Sequence, residues 1–211
     1  MSILSGNKVV IIDYQMGNLR SVYKSFKKNN CEATISNDPY IIKNANKIVL
    51  PGVGSFKDGM KNLINLGLVE VLNQEVIQNK KPFLGICLGM QLIACKGYEN
   101  GESPGLSWVN ADIVKFDFEK NYRNLKIPHV GWNSVEHVNH NNLFKNINNK
   151  SDFYFVHSYH FKTNEDVVTS ITNHGINFVS SIQKDNIYAF QFHPEKSQDF
   201  GLEIIKNFIQ C

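Results

Sequence analysis

Residues 81–97 read KPFLGICLGMQLIACKG, and they place a cysteine at the corner between an apolar strand and a helix. The apolar run starts at Pro82 and ends at Cys87, which lies two residues from Gly85 on one side and from Gly89 on the other. In one interpretation, Cys87 is a small buried apolar residue and the glycines only allow the backbone to turn. In the other interpretation, the corner holds a nucleophile.

The spacing Gly-x-Cys-x-Gly has the same mechanical logic as the Gly-x-Ser-x-Gly nucleophile elbow. A tight turn forces the central residue into a strained backbone conformation, and the missing side chains two residues away prevent clashes. The thiol then projects into a cleft, facing the N-terminal end of the helix that begins at Leu88. That end favours a thiolate and stabilises an oxyanion formed nearby. One short motif does not exclude the structural alternative.

Strands and helices alternate on the N-terminal side of this corner. Short apolar runs without alternation predict strands buried on both faces, and segments with one apolar side predict helices. We expect strands at residues 9–12, 32–36, 47–50 and 83–86, and helices at residues 18–28 and 63–78. This order predicts an α/β fold with an open, mostly parallel sheet covered by helices on both faces.

After about Gly101 the pattern changes to short, aromatic, alternating segments, namely DIVKFDF, FYFVHSYHF, FVSSIQ and IYAFQF. They predict an antiparallel extension beside the parallel sheet. The Asn-rich residues 137–150 are expected to form a surface loop, and a last helix is expected at residues 200–209. Because we find no repeat and no linker, residues 1–211 are interpreted as a single domain.

The composition argues against several classes of function. The chain has 211 residues, 42% of them hydrophobic and 19% charged, as in a globular protein. The formal net charge of +3 is scattered along the chain, so we expect no nucleic-acid partner. No apolar stretch is long enough to span a bilayer, and because MSILSGNK is too short and too weakly charged for a secretory signal, we expect none. The four cysteines lack metal-ligand spacing, which predicts reduced thiols in the cytoplasm and no metal site.

A base for Cys87 and an orienting group for that base occur near the C-terminus, in IYAFQFHPEKS. His193 and Glu195 lie on the same side of an extended chain, and Pro194 between them disfavours a helix. Reacting groups in parallel sheets collect at the carboxyl ends of the strands. We therefore predict a triad of Cys87, His193 and Glu195. A lone histidine after an aromatic strand is otherwise a structural or surface residue.

Two backbone segments are candidates for stabilising an oxyanion next to Cys87. The N–H of Leu88 directly follows the nucleophile, and the PGVG segment with Gly52 and Val53 follows the strand at 47–50. The glycines on both sides of Val53 would let the backbone turn an N–H towards the cleft. On spacing alone, an ordinary turn is the simpler explanation of PGVG.

Together, GICLGMQ and QFHPEKS resemble the class I, or triad, glutamine amidotransferases. The sequence is more closely similar to the glutaminase subunits of imidazole glycerol phosphate synthase, through the stretches DYQMGNLRSV, LPGVGSF, IPHVGWN and YFVHSY. The resemblance runs from about residue 8 to the C-terminus. It implies an amidohydrolase that acts on L-glutamine, with the fold of the class I amidotransferases.

The resemblance also assigns roles to single residues. Cys87 would attack the side-chain amide of glutamine and form a γ-glutamyl thioester, while His193 carries the proton and Glu195 orients it. Gln91, one helical turn beyond the nucleophile, would bind the α-substituents of glutamine. The residues that would supply or shape the oxyanion hole are Gly52, Val53 and Leu88.

A partner is implied as well. Ammonia would pass to a (βα)8-barrel cyclase subunit, bound as a heterodimer, and the assembled synthase would act as a lyase in histidine biosynthesis. Because the phosphorylated substrate would bind the cyclase, no metal or organic cofactor is expected in this chain. On residues alone, Trp132 could equally be a core residue and Lys196 a solvated surface lysine. The residues that would face the barrel are Asn18, Trp132, Asn133, Tyr154 and Lys196.

Two departures from the family pattern leave the ammonia acceptor open. Ser107-Trp108 stands where glycine and an aliphatic residue are usual, as in paralogues thought to feed the amidination of a nucleotide sugar in surface-polysaccharide synthesis. Met16 stands where a small residue or proline is common. A stand-alone cysteine hydrolase is a further alternative. A binding module without catalytic activity is another alternative, although all three triad residues are present.

Overall fold

A mixed β-sheet organises residues 8–118 and 125–211, the part of the chain that the computed structural model describes. The strands are β1 (Val9–Ile12), β2 (Ala33–Ser36), β3 (Lys47–Gly52), β4 (Phe83–Cys87), β5 (Lys96–Gly97), β6 (Ser103–Pro104), β7 (Ala111–Lys115), β8 (His129–His137), β9 (Ser151–His157), β10 (Tyr159–Thr163), β11 (Val168–His174), β12 (Ile176–Lys184) and β13 (Ile187–Phe190). The α-helices are α1 (Leu19–Lys28), α2 (Pro39–Asn44), α3 (Phe56–Asn65), α4 (Leu68–Leu72), α5 (Leu88–Leu92) and α6 (Gln198–Gln210).

The parallel half of the sheet has the strand order β2-β1-β3-β4-β13, and β12, β10 and β7 continue it as an antiparallel extension. Strand β11 pairs with β12 and with β8, and β8 pairs with β9. The predicted fold class is therefore confirmed. The carboxyl ends of β3, β4 and β13 lie side by side, because Gly52 is the register partner of Cys87 and Phe190 is that of Ile86.

The assignment of IYAF to the antiparallel group was wrong. Strand β13 runs parallel to β4 and antiparallel to β12, so it closes the parallel half of the sheet. All of its residues are buried, as they are in β1, β3 and β4. This burial on both faces explains the lack of alternation in these strands.

Two apolar clusters cover the two faces of the parallel strands. In β1, Val10 and Ile12 belong to a cluster with residues of α3, α4 and α5, whereas Val9 and Ile11 belong to a cluster with residues of α1 and α6. Helices therefore pack on both faces, as predicted. Among the described residues, no helix has the length and apolar character needed to cross a membrane.

The helices differ from the prediction mainly between β3 and β4. The single helix expected at residues 63–78 is α3 followed by α4 and a π-helical segment, Asn73–Gln78. Helix α3 begins early because the side chain of Ser55 accepts a hydrogen bond from the N–H of Asp58 at 3.1 Å. The break falls at Gly67, whose φ of 63° is left-handed. The short helix α2, capped by Asp38, was not predicted.

The Asn-rich residues 137–150 do not form a simple surface loop. His137 ends β8, and a 3-10 turn at Asn142–Phe144 buries its apolar side chains. The side-chain amide of Asn207 in α6 donates to the carbonyls of Leu143 and Lys145 at 3.0 and 2.8 Å. Backbone carbonyls that would otherwise be buried without partners are satisfied in this way.

Candidate active site

Cys87 lies on a strained turn at the end of β4. Its φ of 53° and ψ of −108° are unusual for a residue other than glycine, and α5 starts at the next residue. A β-carbon on Gly85 would lie 2.9 Å from the carbonyl oxygen of Gly89, and a β-carbon on Gly89 would overlap the carbonyl oxygen of Leu50. The close approach of backbone around the turn therefore requires both glycines, and the turn has the geometry that the sequence predicts.

Helix α5 begins at Leu88, as the sequence predicts, and has only 5 residues. Its dipole is correspondingly small, because the macrodipole is a sum over aligned peptide units. The N–H of Leu88 nevertheless belongs to the first turn, where N–H groups have no acceptor within the helix. Leu88 thus keeps a donor group directly beside the nucleophile.

His193 and Glu195 form a buried pair after the end of β13. Nδ1 of His193 lies 2.8 Å from Oε1 of Glu195, and the two side chains are 2% and 4% exposed. The extended chain expected here is instead a 3-10 turn, Pro194–Lys196, and this turn brings the two side chains together. The backbone N–H of His193 donates to the carbonyl of Tyr154 in β9 at 2.9 Å, which anchors the turn to the antiparallel extension.

The imidazole of His193 interacts with Cys87 as well as with Glu195. Within the described residues, its Nε2 atom is buried and has no hydrogen-bond partner. Burial disfavours the imidazolium, but negative charge on Cys87, together with the charge and hydrogen bond of Glu195, outweighs burial and raises the pKa of His193 to about 10. A histidine held between a carboxylate and a cysteine in this way is the arrangement that activates a cysteine nucleophile.

A cavity of about 440 Å³ opens beside Cys87 and is large enough for a small polar substrate. Among the predicted glutamine-binding and oxyanion residues, Val53, Leu88 and Gln91 line this cavity. Gly52 lies behind it as the register partner of Cys87. In residues 8–118 and 125–211, no three His, Cys, Asp or Glu side chains are grouped so that they could hold a metal ion.

The PGVG loop is supported by the loop that follows β1. A β-carbon on Gly52 would overlap the hydroxyl of Tyr14, and one on Gly54 would lie 2.7 Å from Cε of Met16. Burial, and then the charge of Cys87, raise the pKa of Tyr14 well above its ordinary value, so the phenol stays neutral. Met16, which stands where the family commonly has a small residue or proline, therefore packs against the loop that carries Val53.

Two residues of the site were not found from the sequence. Glu99 lines the cavity, and its Oε2 atom accepts a hydrogen bond from the N–H of Phe56 at 2.8 Å. Nothing in the local sequence marks this carboxylate, because a loop after β5 brings it to the start of α3. Gln191 donates from Nε2 to Sγ of Cys87 at 3.7 Å. Its position inside QFHPEKS was the available signal.

Three of the predicted partner-facing residues form a cluster at the edge of the cavity, here called the rim cluster: Trp132, Tyr154 and Lys196. Trp132 of β8 pairs with Tyr154 of β9, and their rings pack edge to face with centroids 6.1 Å apart. Nζ of Lys196 lies 5.5 Å from the centroid of the Tyr154 ring, and Lys196 also lines the cavity. Trp132 is 47% exposed, so it is not a core residue.

The other two predicted partner-facing residues have structural contacts of their own. Asn18 is exposed, and its side chain caps α1 by accepting from the N–H of Ser21 at 3.3 Å. Asn133 is half-buried, and its Nδ2 atom is hydrogen-bonded to Nε2 of His129 at 3.1 Å and to the carbonyl of Asn173 at 2.9 Å. Asn133 therefore reaches into the antiparallel extension as well as lying next to Trp132.

The elbow, the buried His–Glu pair and the cavity agree with a comparison of the whole chain with known families. Residues 10–211 match the family described as glutamine amidotransferase class-I. The chain belongs to this family, whose members are enzymes that act on glutamine. It is 50% identical over 200 residues to "Imidazole glycerol phosphate synthase subunit HisH 1" of Campylobacter jejuni, which covers 95% of this chain and 98% of that protein. The HisH protein of Pelagibacter ubique is 45% identical and covers 95% of this chain and 98% of its own.

Solved structures show the same fold at low sequence identity. A glutamine amidotransferase from Thermotoga maritima has a TM-score of 0.65 at 18% identity, covering 90% of this chain and 76% of that one. The glutaminase domain of the Trypanosoma brucei protein CTPS has a TM-score of 0.66 at 15% identity, covering 97% of this chain and 91% of that one. The overall fold of this chain is thus shared with distant proteins.

Proposed function

We propose that this chain is the glutaminase subunit of an imidazole glycerol phosphate synthase and supplies ammonia for histidine biosynthesis. The observation that carries the proposal is the strained Cys87 beside the buried His193–Glu195 pair, in a chain that is 50% identical to a HisH protein over 95% of its length. The cavity at Cys87 is the binding site for L-glutamine.

In the proposed reaction, Sγ of Cys87 attacks the side-chain amide carbon of glutamine. His193 donates a proton to the departing nitrogen, so that ammonia leaves and a γ-glutamyl thioester remains. His193 then takes a proton from water, the resulting hydroxide hydrolyses the thioester to glutamate, and the sulfur of Cys87 is released beside a protonated His193 that is ready for the next cycle. Glu195 holds the imidazole through its Nδ1–H, as the acidic member of a triad does.

The negative charge that develops on the amide oxygen is stabilised by backbone N–H groups. The N–H of Leu88 is free of an acceptor within α5, and Gly52 and Val53 lie at the neighbouring strand end. Tyr14 and Met16 support this second segment from behind. The oxyanion hole therefore joins the ends of two adjacent parallel strands.

The α-substituents of glutamine are bound at the wall formed by Gln91 and Glu99. Nε2 of Gln91 already donates to the carbonyl of Tyr159 at 3.1 Å and to Oε1 of Gln191 at 3.0 Å, so both of its hydrogens are used. Its remaining Oε1 accepts from the α-ammonium group. Glu99, a carboxylate on the same cavity, pairs with the same ammonium group.

Ammonia passes to a (βα)8-barrel cyclase subunit that binds as a heterodimer over the rim cluster. A half-exposed tryptophan packed on a tyrosine and a lysine at the cavity edge has the composition of an interface anchor. Asn18 and Asn133 extend the same contact.

Delivery to a nucleotide sugar is the alternative acceptor. The feature that suggested it is the pair Ser107-Trp108. Of the two, Trp108 is buried and donates from Nε1 to Oδ1 of Asn73 at 2.7 Å, and its ring packs on Phe83. Trp108 is a core residue, so its identity reflects packing rather than the choice of acceptor. A stand-alone hydrolase would need no rim cluster.

Reconstitution with the cyclase subunit of the same organism tests the proposal. We expect glutamine-dependent conversion of the phosphoribulosyl imidazolecarboxamide intermediate to imidazole glycerol phosphate, and little glutamine hydrolysis by the chain alone. Rapid hydrolysis without any partner would support the stand-alone hydrolase. Hydrolysis coupled only to a nucleotide-sugar acceptor would support the paralogue.

A further inference from the structure

Two buried histidines link strand β8 to the wall of the catalytic cavity. Nδ1 of His129 lies 3.0 Å from Nε2 of His157, and Nδ1 of His157 lies 2.9 Å from the carbonyl oxygen of Tyr159. On the opposite side, Nε2 of His129 lies 3.1 Å from Nδ2 of Asn133. His129 and His157 are 4% and 6% exposed, and His157 lines the cavity. Neither histidine has a role in the reaction proposed above.

The hydrogen bonds from Asn133 through His129 and His157 to Tyr159 all point in one direction, because the group at each end of this series can play only one role. A carbonyl oxygen only accepts, so Nδ1 of His157 carries the proton and its Nε2 accepts from Nδ1 of His129. Nε2 of His129 then accepts from the amide of Asn133. The orientation of that amide is fixed independently, since Nδ2 donates to the carbonyl of Asn173 and Oδ1 accepts from the N–H of Ser134 at 2.9 Å.

The series of hydrogen bonds continues from Tyr159 to the nucleophile. The carbonyl of Tyr159 also accepts from Nε2 of Gln91 at 3.1 Å, and Gln91 donates to Oε1 of Gln191 at 3.0 Å. Gln191 in turn donates to Sγ of Cys87 at 3.7 Å. An unbroken series of contacts therefore joins Asn133, next to the rim cluster, to the sulfur of Cys87.

The surroundings keep both histidines neutral. Burial, and then repulsion by positive charge on His174, lower the pKa of His129 to about 4. Burial lowers the pKa of His157 to about 3. The hydrogen bond to the carbonyl of Tyr159 acts in the other direction, and repulsion by positive charge on His129, His160 or His174 adds to the lowering. Those histidines are the titratable groups that act on the pair among the described residues. A protonated imidazole carries hydrogen on both nitrogens, so protonation of either ring would place two N–H groups opposite each other and break one hydrogen bond of the series.

We propose that Asn133, His129 and His157 are positioning residues of the glutaminase, which fix the carbonyl of Tyr159 and thereby the amides of Gln91 and Gln191 at the nucleophile. This role rests on the proposed function. Asn133 lies on the inward face of β8, opposite to the exposed face that carries Trp132, so the series begins beneath the rim cluster.

Two substitutions of His129 separate positioning from packing. His129→Phe keeps an aromatic ring that can stack on Phe155 but has no donor or acceptor. His129→Asn loses the ring, yet its amide nitrogen takes the place of Nδ1 and can still donate to His157. In the assembled complex, we expect His129→Asn to keep glutaminase kcat within about threefold and His129→Phe to lose about tenfold or more. If His129 acted only through packing, His129→Asn would lose more kcat than His129→Phe, and that result would overturn the proposal.

The tautomers provide a second test that does not depend on activity. Long-range 1H–15N spectra of the unsubstituted chain with labelled histidine should show His129 and His157 neutral and protonated at Nδ1 from about pH 8 to about pH 6. In His129→Phe, the signal of His157 should change while that of His193 stays. Protonation at Nε2 in either residue of the unsubstituted chain would contradict the one-way series. If the complex fails to hydrolyse glutamine at all, the proposed function fails, and these spectra still decide the direction of the hydrogen bonds.

Discussion

Gly89 packs against the carbonyl group of Leu50 so closely that no β-carbon fits between them. This contact joins the turn that carries Cys87 to β3, the strand that leads into the PGVG loop. Backbone contact therefore holds the nucleophile and the proposed oxyanion segment in one rigid unit, and the side chains of Tyr14 and Met16 add to it.

Gly89→Ala should disturb this unit. The added methyl group forces the turn away from β3, and we expect a loss of about 1–3 kcal/mol in the free energy of unfolding, measured by urea titration. Glutaminase activity should fall by more than the loss of folded protein explains. Gly67→Ala is the control, because its β-carbon meets nothing within 4 Å and only the left-handed φ of 63° costs stability. Full activity in Gly89→Ala would contradict the rigid-unit account.

The sequence predicts those parts of the molecule whose cause is local. Cys87 and its glycines mark the elbow, and unbroken apolar runs mark the buried strands. The pairing of β13 with β4 could not be deduced, because IYAF follows alternating strands and only the tertiary neighbours decide its direction. Glu99 could not be predicted either, because its place at the cavity depends on the tertiary fold of the loop that carries it. The break at Gly67 was missed because apolar spacing continues through it.

The raised pKa of His193 predicts a stability that depends on pH. The folded-state pKa of about 10 exceeds the ordinary value of 6.5, so the imidazolium stabilises the folded chain. This contribution is complete below about pH 6.5 and is lost as the pH rises through about 10. Urea titrations should show the decrease. Glu195→Gln removes one of the charges that raise the pKa of His193, so the stability of this variant should decrease less over the same pH range. Glu203→Gln, which removes a carboxylate paired with Lys206 in α6, is the control and should show the same decrease as the unsubstituted chain.

Glu99→Gln should weaken glutamine binding without changing the chemical step. The substitution removes the charge that pairs with the α-ammonium group, so we expect KM for glutamine to rise about tenfold to a hundredfold with kcat little changed. Steady-state kinetics of the assembled complex measure both constants. Glu102→Gln is the matched control, since that carboxylate is exposed and paired with Lys96. A fall in kcat at constant KM would remove Glu99 from the binding site.

Trp132→Ala should weaken the cyclase complex. Truncation of a central aromatic anchor costs about 2 kcal/mol or more, so calorimetry should show an affinity reduced by about thirtyfold. The fold should persist, because Trp132 is 47% exposed in the free chain. Tyr40→Ala is the control, an exposed aromatic residue at 74% that lies on α2 and outside the rim cluster. Equal affinities for both variants would place the interface elsewhere.

The most direct measurement of the central claim compares two nitrogen sources in the assembled complex of Cys87→Ala. We predict that glutamine-dependent synthesis of imidazole glycerol phosphate falls by about three orders of magnitude or more, because the nucleophile is lost. Synthesis from added ammonium salts should be unchanged, since free ammonia reaches the cyclase without the thioester. Glutamine-dependent synthesis that survives the substitution would contradict the account.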